Sequence, residues 1–346
     1  MLEVAHVVRR YGPVGGMERY VWELTHALSK LGVNVTVVCE KCFSAPEFNI
    51  KVVEFGEVKP KPRWLAMLRF SRNVRKWNNS SGKDYLIHSH ERTGIHQITT
   101  IHGPSIKNRK KKLLDFLSIR IKAWEWLEKR EVLGRQVLRV LPNSELVRAD
   151  LIKHYPEVAT HLGPIAHPGV IVSNEAPLRN VGSRTIGFIG KEWKRKGLPQ
   201  AIKIFEEIYR SDPSARFLVA GADVEEVQPL FTGLPDGSYD LLGWMEPSEF
   251  FGKINTLIHP AKDEPFGMVV AEALESGVPV VISDVCGVAS HLNEQHGYIL
   301  PLDSNAWGEC ISFLLKDTAR VVEGLGLTWD SLALETVSLY KTIAKS

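Results

Sequence analysis

What this sequence has little of narrows it first. Only four of its 346 residues are cysteine, Cys39, Cys42, Cys286 and Cys310, far too few for a disulfide scaffold. Cys39 and Cys42 form a C-x-x-C pair at the end of the apolar run Val35-Thr36-Val37-Val38. No second C-x-x-C or H-x3-H pair completes a tetrahedral site, and no redox motif surrounds the pair, so chance spacing is preferred to zinc or redox chemistry. No apolar run reaches the ~20 residues that span a bilayer, and Met1 to Arg9 lacks a basic leader followed by a long apolar segment, so a cytoplasmic protein is expected. A D-x-D pair of metal-binding carboxylates is missing, as is the dinucleotide fingerprint G-x-G-x-x-G.

What is present describes a soluble globular protein, with 44% hydrophobic and 24% charged residues. The length exceeds one ordinary core and suits two domains. The net charge of +3 hides an asymmetry: residues 1–169 hold 28 Lys and Arg against 16 Asp and Glu, whereas 170–346 hold 15 against 24. Basic residues are densest over 59–76, where Lys59, Lys61, Arg63, Arg69, Arg72, Arg75 and Lys76 face no acid, and again over 107–112. Such a surface suits anionic lipid, phosphorylated glycan or nucleic acid. Over 60–77 the cations alternate with Trp64, Leu65, Met67, Leu68, Phe70, Val74 and Trp77, which fits a domain helix with solvated charges or a membrane-surface patch.

Along the chain, short apolar runs alternate with segments of helical period, the pattern of α/β domains. A strand over Glu3 to Arg9 leads through Gly15-Gly16 into a helix carrying Tyr20, Leu24, Ala27, Leu28 and Leu31, stopped by Gly32. Read alone, the glycine pair is preferred as a plain turn over a phosphate site. Two further strands end in polar clusters, His90-Glu91-Arg92 and His102-Gly103-Pro104, and strand ends are where open parallel sheets bind ligands. Ser144 reads equally as a helix cap. Between Tyr155 and Gly182 the prolines and glycines mark a linker, giving domains over 1–163 and 183–326, a linker over 164–182, and a terminal helix over 327–346. The second domain opens with the strand Thr185 to Gly190 and a cationic loop containing Lys191, Lys194, Arg195 and Lys196, which suits a diphosphate or is simply solvated.

The stretch Glu264-Pro265-Phe266-Gly267-Met268-Val269-Val270-Ala271-Glu272 organises the rest. It leaves the strand Thr256 to Pro260 through a polar turn and begins a helix near Phe266, which ends at Gly277. First-turn amides from Phe266 through Gly267 and Met268 to Val269 lack intrahelical acceptors at the positive pole of the helix, so they suit an anion. Glu264 before the helix and Glu272 within it could both reach one extended ligand. By spacing alone a loop carboxylate and a surface helix carboxylate fit equally well.

This stretch resembles the E-x7-E motif of the retaining GT-B glycosyltransferases of family GT4. The resemblance implies an α/β GT-B fold, two Rossmann-like domains facing each other across a cleft. It implies that Glu264 and the following amides hold the donor sugar, that Glu272 holds the nucleotide ribose, and that His102, in a T-x-H-G step, contacts the sugar. Gly15 and Gly16 fall in a loop where the backbone approaches donor phosphate or acceptor, and Gly243 in an L-G step that pairs with the base. Lys196 matches a diphosphate lysine. The arginine that usually accompanies it is replaced by Lys191, which leaves Lys191, Lys194 and Arg195 open as the second cation.

By the same resemblance the chain transfers a hexose or N-acetylhexosamine from a nucleotide diphosphate sugar, UDP-linked in preference to GDP-mannose. Transfer proceeds with retention and without metal or other cofactor. For the acceptor, the basic runs over 60–77 and 107–112 suggest a glycan or lipid-linked glycan such as a lipopolysaccharide core, with an anionic membrane surface at the inner face of the cytoplasmic membrane as a candidate partner and a soluble acceptor left open. His90, Glu91 and Arg92 are assigned to the acceptor pocket, and no nucleic-acid partner is expected. An epimerase or hydrolase acting on the nucleotide sugar alone, or a degenerate GT-B protein binding membrane or nucleic acid, is the alternative.

Overall fold

The computed structural model describes residues 3–57, 59–108, 118–171 and 182–345. It divides into one unit of residues 1–169 with 328–346 and a second of residues 170–327. The first unit thus continues to Gly169 rather than 163, and most of the expected linker, 172–181, lies outside the described residues, as does 109–112 of the second basic run.

In the first unit the strands are β1 (Glu3–Val7), β2 (Arg10–Tyr11), β3 (Asn34–Cys39), β4 (Lys41–Cys42), β5 (Lys51–Glu54), β6 (Leu86–Ser89), β7 (Ile98–Ile101) and β8 (Arg139–Pro142). Six of them form a parallel sheet in the order β5-β3-β1-β6-β7-β8, with β2 and β4 as a separate small pair. Strands covered on both faces have no polar side to show. This accounts for the unbroken burial of Val4 to Val7 and of Val35 to Cys39.

Helices α1 (Gly16–Lys30), α2 (Arg63–Ser80), α3 (Ile119–Leu133) and α4 (Glu145–His154) connect the strands. On α1, Tyr20, Leu24, Ala27 and Leu28 are buried at helical spacing, and the chain turns at Gly32 with φ +79°. Ser144 caps α4, its Oγ accepting the Val147 N–H at 3.2 Å. Helix α2 settles the direction of the aromatic and basic stretch. Met67, Phe70 and Val74 are buried, and Leu68 and Trp77 pack against the same cluster, while Arg63, Arg72, Arg75 and Lys76 are exposed.

The second unit repeats the plan with β9 (Thr185–Ile189), β10 (Arg216–Ala220), β11 (Tyr239–Gly243), β12 (Thr256–His259), β13 (Val280–Ser283) and β14 (Gly297–Leu300), ordered β11-β10-β9-β12-β13-β14 and parallel throughout. Its helices are α5 (Trp193–Lys196), α6 (Leu198–Ser211), α7 (Val224–Val227), α8 (Pro247–Phe251), α9 (Met268–Glu275) and α10 (Trp307–Lys316). Neighbouring strand residues feed different cores. Ile186 and Phe188 join Phe205, Phe217 and Trp307, whereas Ile189 joins Phe250, Val270 and Leu274. The chain then contributes α11 (Trp329–Ile343) to the first unit, where it packs against α1.

Both sheets reverse their direction of growth at one place. In the first unit the strands following β1 build outward on one side through β3 and β5, then resume on the other side with β6. In the second, β9 and β12 stand in the same relation. Outside the carboxyl ends of such a pair the connecting loops part and leave a crevice, the usual ligand position in doubly wound sheets.

Candidate active site

At the reversal point of the second unit, the loops leaving β9 and β12 interlock. The single-turn helix α5 ends at Gly197, whose φ is +85°, and a Cβ there would lie 1.9 Å from the Pro260 carbonyl oxygen, so only glycine fits. The Lys262 N–H donates to the Arg195 carbonyl at 2.9 Å. At the end of β9 the stem of Lys196 lies across Gly190, where an added Cβ would sit 2.2 Å from the lysine Cδ.

These loops surround Glu264. Its carboxylate Oε2 lies 3.3 Å from Arg195 Nη1, 3.6 Å from Lys196 Nζ and 3.4 Å from His259 Nε2. Arg195 also grips Glu192 at 2.8 Å and donates to the Asp263 carbonyl. The backbone is fixed from the other side, because Glu264 and Phe266 accept from the N–H groups of Gly287 and Val288 at 2.9 and 2.7 Å. Gly267 then turns the chain into α9 with φ +104°, and a Cβ on it would lie 2.6 Å from Cys286 Sγ. The first turn of α9, with Met268 and Val269, therefore opens directly after the carboxylate.

Burial alone would push the Glu264 carboxyl up. The His259 ring 3.4 Å away and the charges of Lys196 and Arg195 outweigh it, holding the carboxyl down at about 2. His259 is itself held below its usual range, by burial first and then by Lys196, and neither of its buried ring nitrogens has a hydrogen-bond partner among the described residues. Near neutral pH Glu264 is therefore an ionised carboxylate lying between the side chains of Lys196 and Arg195.

Of the cations left open by the sequence, Arg195 is the one that joins Lys196 at Glu264. Lys194 is exposed, 3.9 Å from Glu226 and over the Trp193 ring at 4.7 Å, and Lys191 is exposed at the start of the loop. Phe266 is buried in the core, and Glu272 is half-buried midway along α9. Gly243 ends β11 with φ +63°, its carbonyl accepting the Gly221 N–H at 2.7 Å.

The corresponding point of the first unit is built from imidazoles. His6 on β1 is paired in register with His88 on β6, and His90 follows two residues later. His90 Nε2 lies 3.0 Å from His6 Nδ1, and His90 Nδ1 lies 2.9 Å from His102 Nε2. Burial first, then neighbouring rings for His88 and His90, holds all four well below the ordinary histidine range, His6 and His102 at about 3.

The side chains assigned to an acceptor are engaged internally. His90 is buried in this chain of rings, and Arg92 bonds Glu128 at 3.3 Å and Glu131 at 3.1 Å beneath Trp124. Glu91 accepts the Arg9 N–H at 3.3 Å, and burial pushes its carboxyl up to about 8 despite Arg9. At the amino end of α1 the Glu18 carboxylate folds over Gly15, 2.3 Å from where a Cβ would be, while Gly16 is open. An acid at the third helical position stabilises the exposed first-turn amides.

Two family descriptions match the chain. "Glycosyltransferase Family 4" takes in residues 14–170, and "Glycosyl transferases group 1" takes in 183–317. The chain belongs to the family 4 glycosyltransferases.

Among relatives of this family, the lipopolysaccharide glucosyltransferase WaaG of Escherichia coli is 27% identical over 161 residues, 42% of this chain and 43% of that protein. The aligned stretches take in 45, 20 and 37% of the first three curated relatives, so the chain spans less than half of their length. Solved structures show the fold end to end. WaaG, described as involved in lipopolysaccharide biosynthesis, superimposes with a TM-score of 0.77 at 16% identity, covering 98% of this chain and 95% of that one. Anabaena HepE in complex with UDP-glucose gives 0.70 at 15% identity, covering 100% and 99%. The fold is that of the GT-B glycosyltransferases.

Within this family fold, the sequence located Glu264 and Lys196 but not their third partner. His259 stands inside an apolar strand run, and nothing marks it until β12 is placed beside β9. Nor did the sequence link His6, His88 and His90, because their adjacency depends on which strands pair.

Proposed function

We propose that this chain transfers a sugar, with retention of anomeric configuration, from a nucleotide diphosphate sugar to a glycan or lipid-linked glycan. The observation that carries the reading is the Glu264, Lys196, Arg195 and His259 constellation at the strand ends of the second unit, directly before the first turn of α9. Lys196, Arg195 and the α9 amides supply positive potential where a diphosphate leaving group develops charge, so the reading needs no metal. Glu264 stays ionised and serves as a hydrogen-bond acceptor for sugar hydroxyls rather than as an acid. In the reaction the bond from the anomeric carbon to the phosphate oxygen breaks on the face where the acceptor oxygen bonds. The acceptor proton passes to the departing phosphate oxygen.

For the donor, a UDP-sugar is favoured. HepE, of the same fold, is described with UDP-glucose, and WaaG is described as a glucosyltransferase. For the acceptor, the lipopolysaccharide role of WaaG and the exposed arginines of α2 support an anionic, lipid-linked glycan. Since Phe70 and Trp77 of α2 pack into the core, attraction to an anionic surface would be electrostatic and weaken with salt. The test is calorimetry of UDP, GDP, ADP and their common sugars against the full chain, with and without divalent metal. Selective binding of UDP and a UDP-sugar in metal-free buffer is expected. A folded protein that binds none of them overturns the reading, and release of free sugar without acceptor would identify a hydrolase instead.

A further inference from the structure

The buried histidines of the first unit have partners for their ring nitrogens. His6 Nε2 and His88 Nδ1 meet the Tyr340 hydroxyl on α11 at 3.0 and 2.6 Å, and His90 lies between His6 and His102 at 3.0 and 2.9 Å. His96 meets Thr93 and the Glu131 carbonyl. His259, at the end of β12, is fully buried as well, yet neither of its nitrogens has a partner among the described residues. An unpaired polar group in the interior costs stability, and where one persists its use is to be sought in the function.

Around this ring lies a loosely tied cluster of charges. Arg195, His259 and Lys196 all approach one oxygen of Glu264, Oε2, at 3.3, 3.4 and 3.6 Å. Each separation is longer than the about 2.7–2.9 Å of a tight charge-assisted bond. Arg195 makes its closer contacts elsewhere, with Glu192 at 2.8 Å and with the Asp263 carbonyl. Charge is balanced here, Lys196 and Arg195 against Glu264 and Glu192.

We propose that His259 takes up a proton when a nucleotide diphosphate sugar binds, and that the resulting imidazolium becomes the partner of Glu264 while Lys196 and Arg195 turn to the phosphate oxygens. His259 is thus a positioning residue for Glu264. This use of His259 rests on the nucleotide-sugar reading above, in which a diphosphate brings two negative charges to a cluster whose positive side chains already face carboxylates. As Lys196 and Arg195 turn to the diphosphate, Glu264 is left buried without a cation, an unstable state for a carboxylate. The His259 ring stands 3.4 Å away, and histidine is the side chain that changes charge nearest to neutral pH. The proton comes from solvent and returns to it when the nucleotide leaves.

The same surroundings keep the ring neutral beforehand. Burial is the largest influence, and Lys196 and Arg195 add to it against the pull of Glu264; drawing both cations onto phosphate reverses that balance. Burial pushes the Cys286 thiol up, so it stays neutral beside them. Strands β9 and β13, on either side of β12, carry no ionisable side chain, and α9 and α10, which pack on β12, bring Glu272, Glu275, Glu309, Cys310 and Lys316.

The experiment is calorimetry on the full chain with UDP-glucose, or with whichever GDP- or ADP-sugar binds in its place, in buffers of different ionisation enthalpy. A diphosphate esterified at both ends has no ionisation near neutrality, so the proton count reports on the protein. Uptake of about one proton per site is expected near neutral pH, with affinity falling about tenfold per pH unit as pH rises from about 6 to about 8. His259→Gln, which keeps an N–H donor and cannot titrate, should bind without proton uptake and with affinity independent of pH, weaker than wild type at the acid end and close to it at the alkaline end. Binding by wild type without proton uptake overturns the inference and leaves the donor reading standing, with no variant needed. Uptake unchanged in folded His259→Gln puts the proton on another group, Glu264 included, and also overturns it. A folded wild type that binds no nucleotide sugar removes both readings.

Discussion

The two units share one strand order and differ in what stands at its reversal point. In the second unit charge is concentrated there: a carboxylate between Lys196 and Arg195, with the His259 ring 3.4 Å away. In the first unit charge is removed, for the buried histidines are neutral and the Glu91 carboxyl is pushed up to about 8 by burial. The contrast shows what the shared backbone does not decide. The fold supplies parted loops at strand ends, and the side chains make one crevice a cluster of charged groups around an ionised Glu264 and the other a hydrogen-bond scaffold.

The sharpest way to break this contrast is to discharge the second unit. Lys196→Ala should lower sugar transfer by about 10²–10³-fold, the usual cost of removing one group that stabilises transition-state charge, and should weaken UDP binding in calorimetry. Lys194→Ala, at an exposed lysine, should change either quantity little. Equal losses from both would mean that charge density, not the Glu264 constellation, binds the donor.

Acid should separate the units next. For a histidine whose folded pKa is lowered, the unfolded chain takes up the proton first, so stability falls as pH drops below about 6.5, by ~1.4 kcal/mol per pH unit per ring. His6, His88, His90 and His102 share that sign, and His96, held down to about 4 chiefly by burial, adds to it. Glu91 and Glu131, raised to about 8 and about 7, act oppositely as pH rises above about 4.5, which places the stability maximum of the first unit near pH 6.5. Glu264 loses its contribution only from about 4.5 down to about 2. Hydrogen exchange at pH 6.5, 5.5 and 4.5 should therefore show the first unit losing protection before the second; the reverse order would contradict the neutral-histidine assignment.

Two glycines sharpen the picture at smaller scale. Gly267→Ala must hold φ +104° and displace Cys286, at about 1–3 kcal/mol of stability by chemical denaturation, and should reduce transfer because Glu264 shares that loop. Gly190→Ala meets the flexible stem of Lys196 instead. Its stability cost should be under about 1 kcal/mol, with UDP affinity reduced more than the melting temperature suggests.

Much of this was readable in the sequence, for local reasons. Apolar runs alternating with helical periods announced parallel α/β units, and the E-x7-E stretch with Lys196 located the charged centre. Other features depended on pairing that no local pattern encodes. His6 meets His88 through strand register and Tyr340 through a separation of 334 residues. The aromatic and basic run of α2 was ambiguous for another reason: helical period states that an apolar face exists, and only packing shows that Phe70 and Val74 belong to the core.

The placement of Tyr340 also bears on the order in which the protein matures. A ribosome delivers the strands of the first unit early and α11 only after the whole second unit has been made. Until Tyr340 emerges, His6 and His88 lack the hydroxyl that joins them. The nascent first unit therefore waits, with histidines still open to water and protonation, for residues translated more than 150 codons after its last strand.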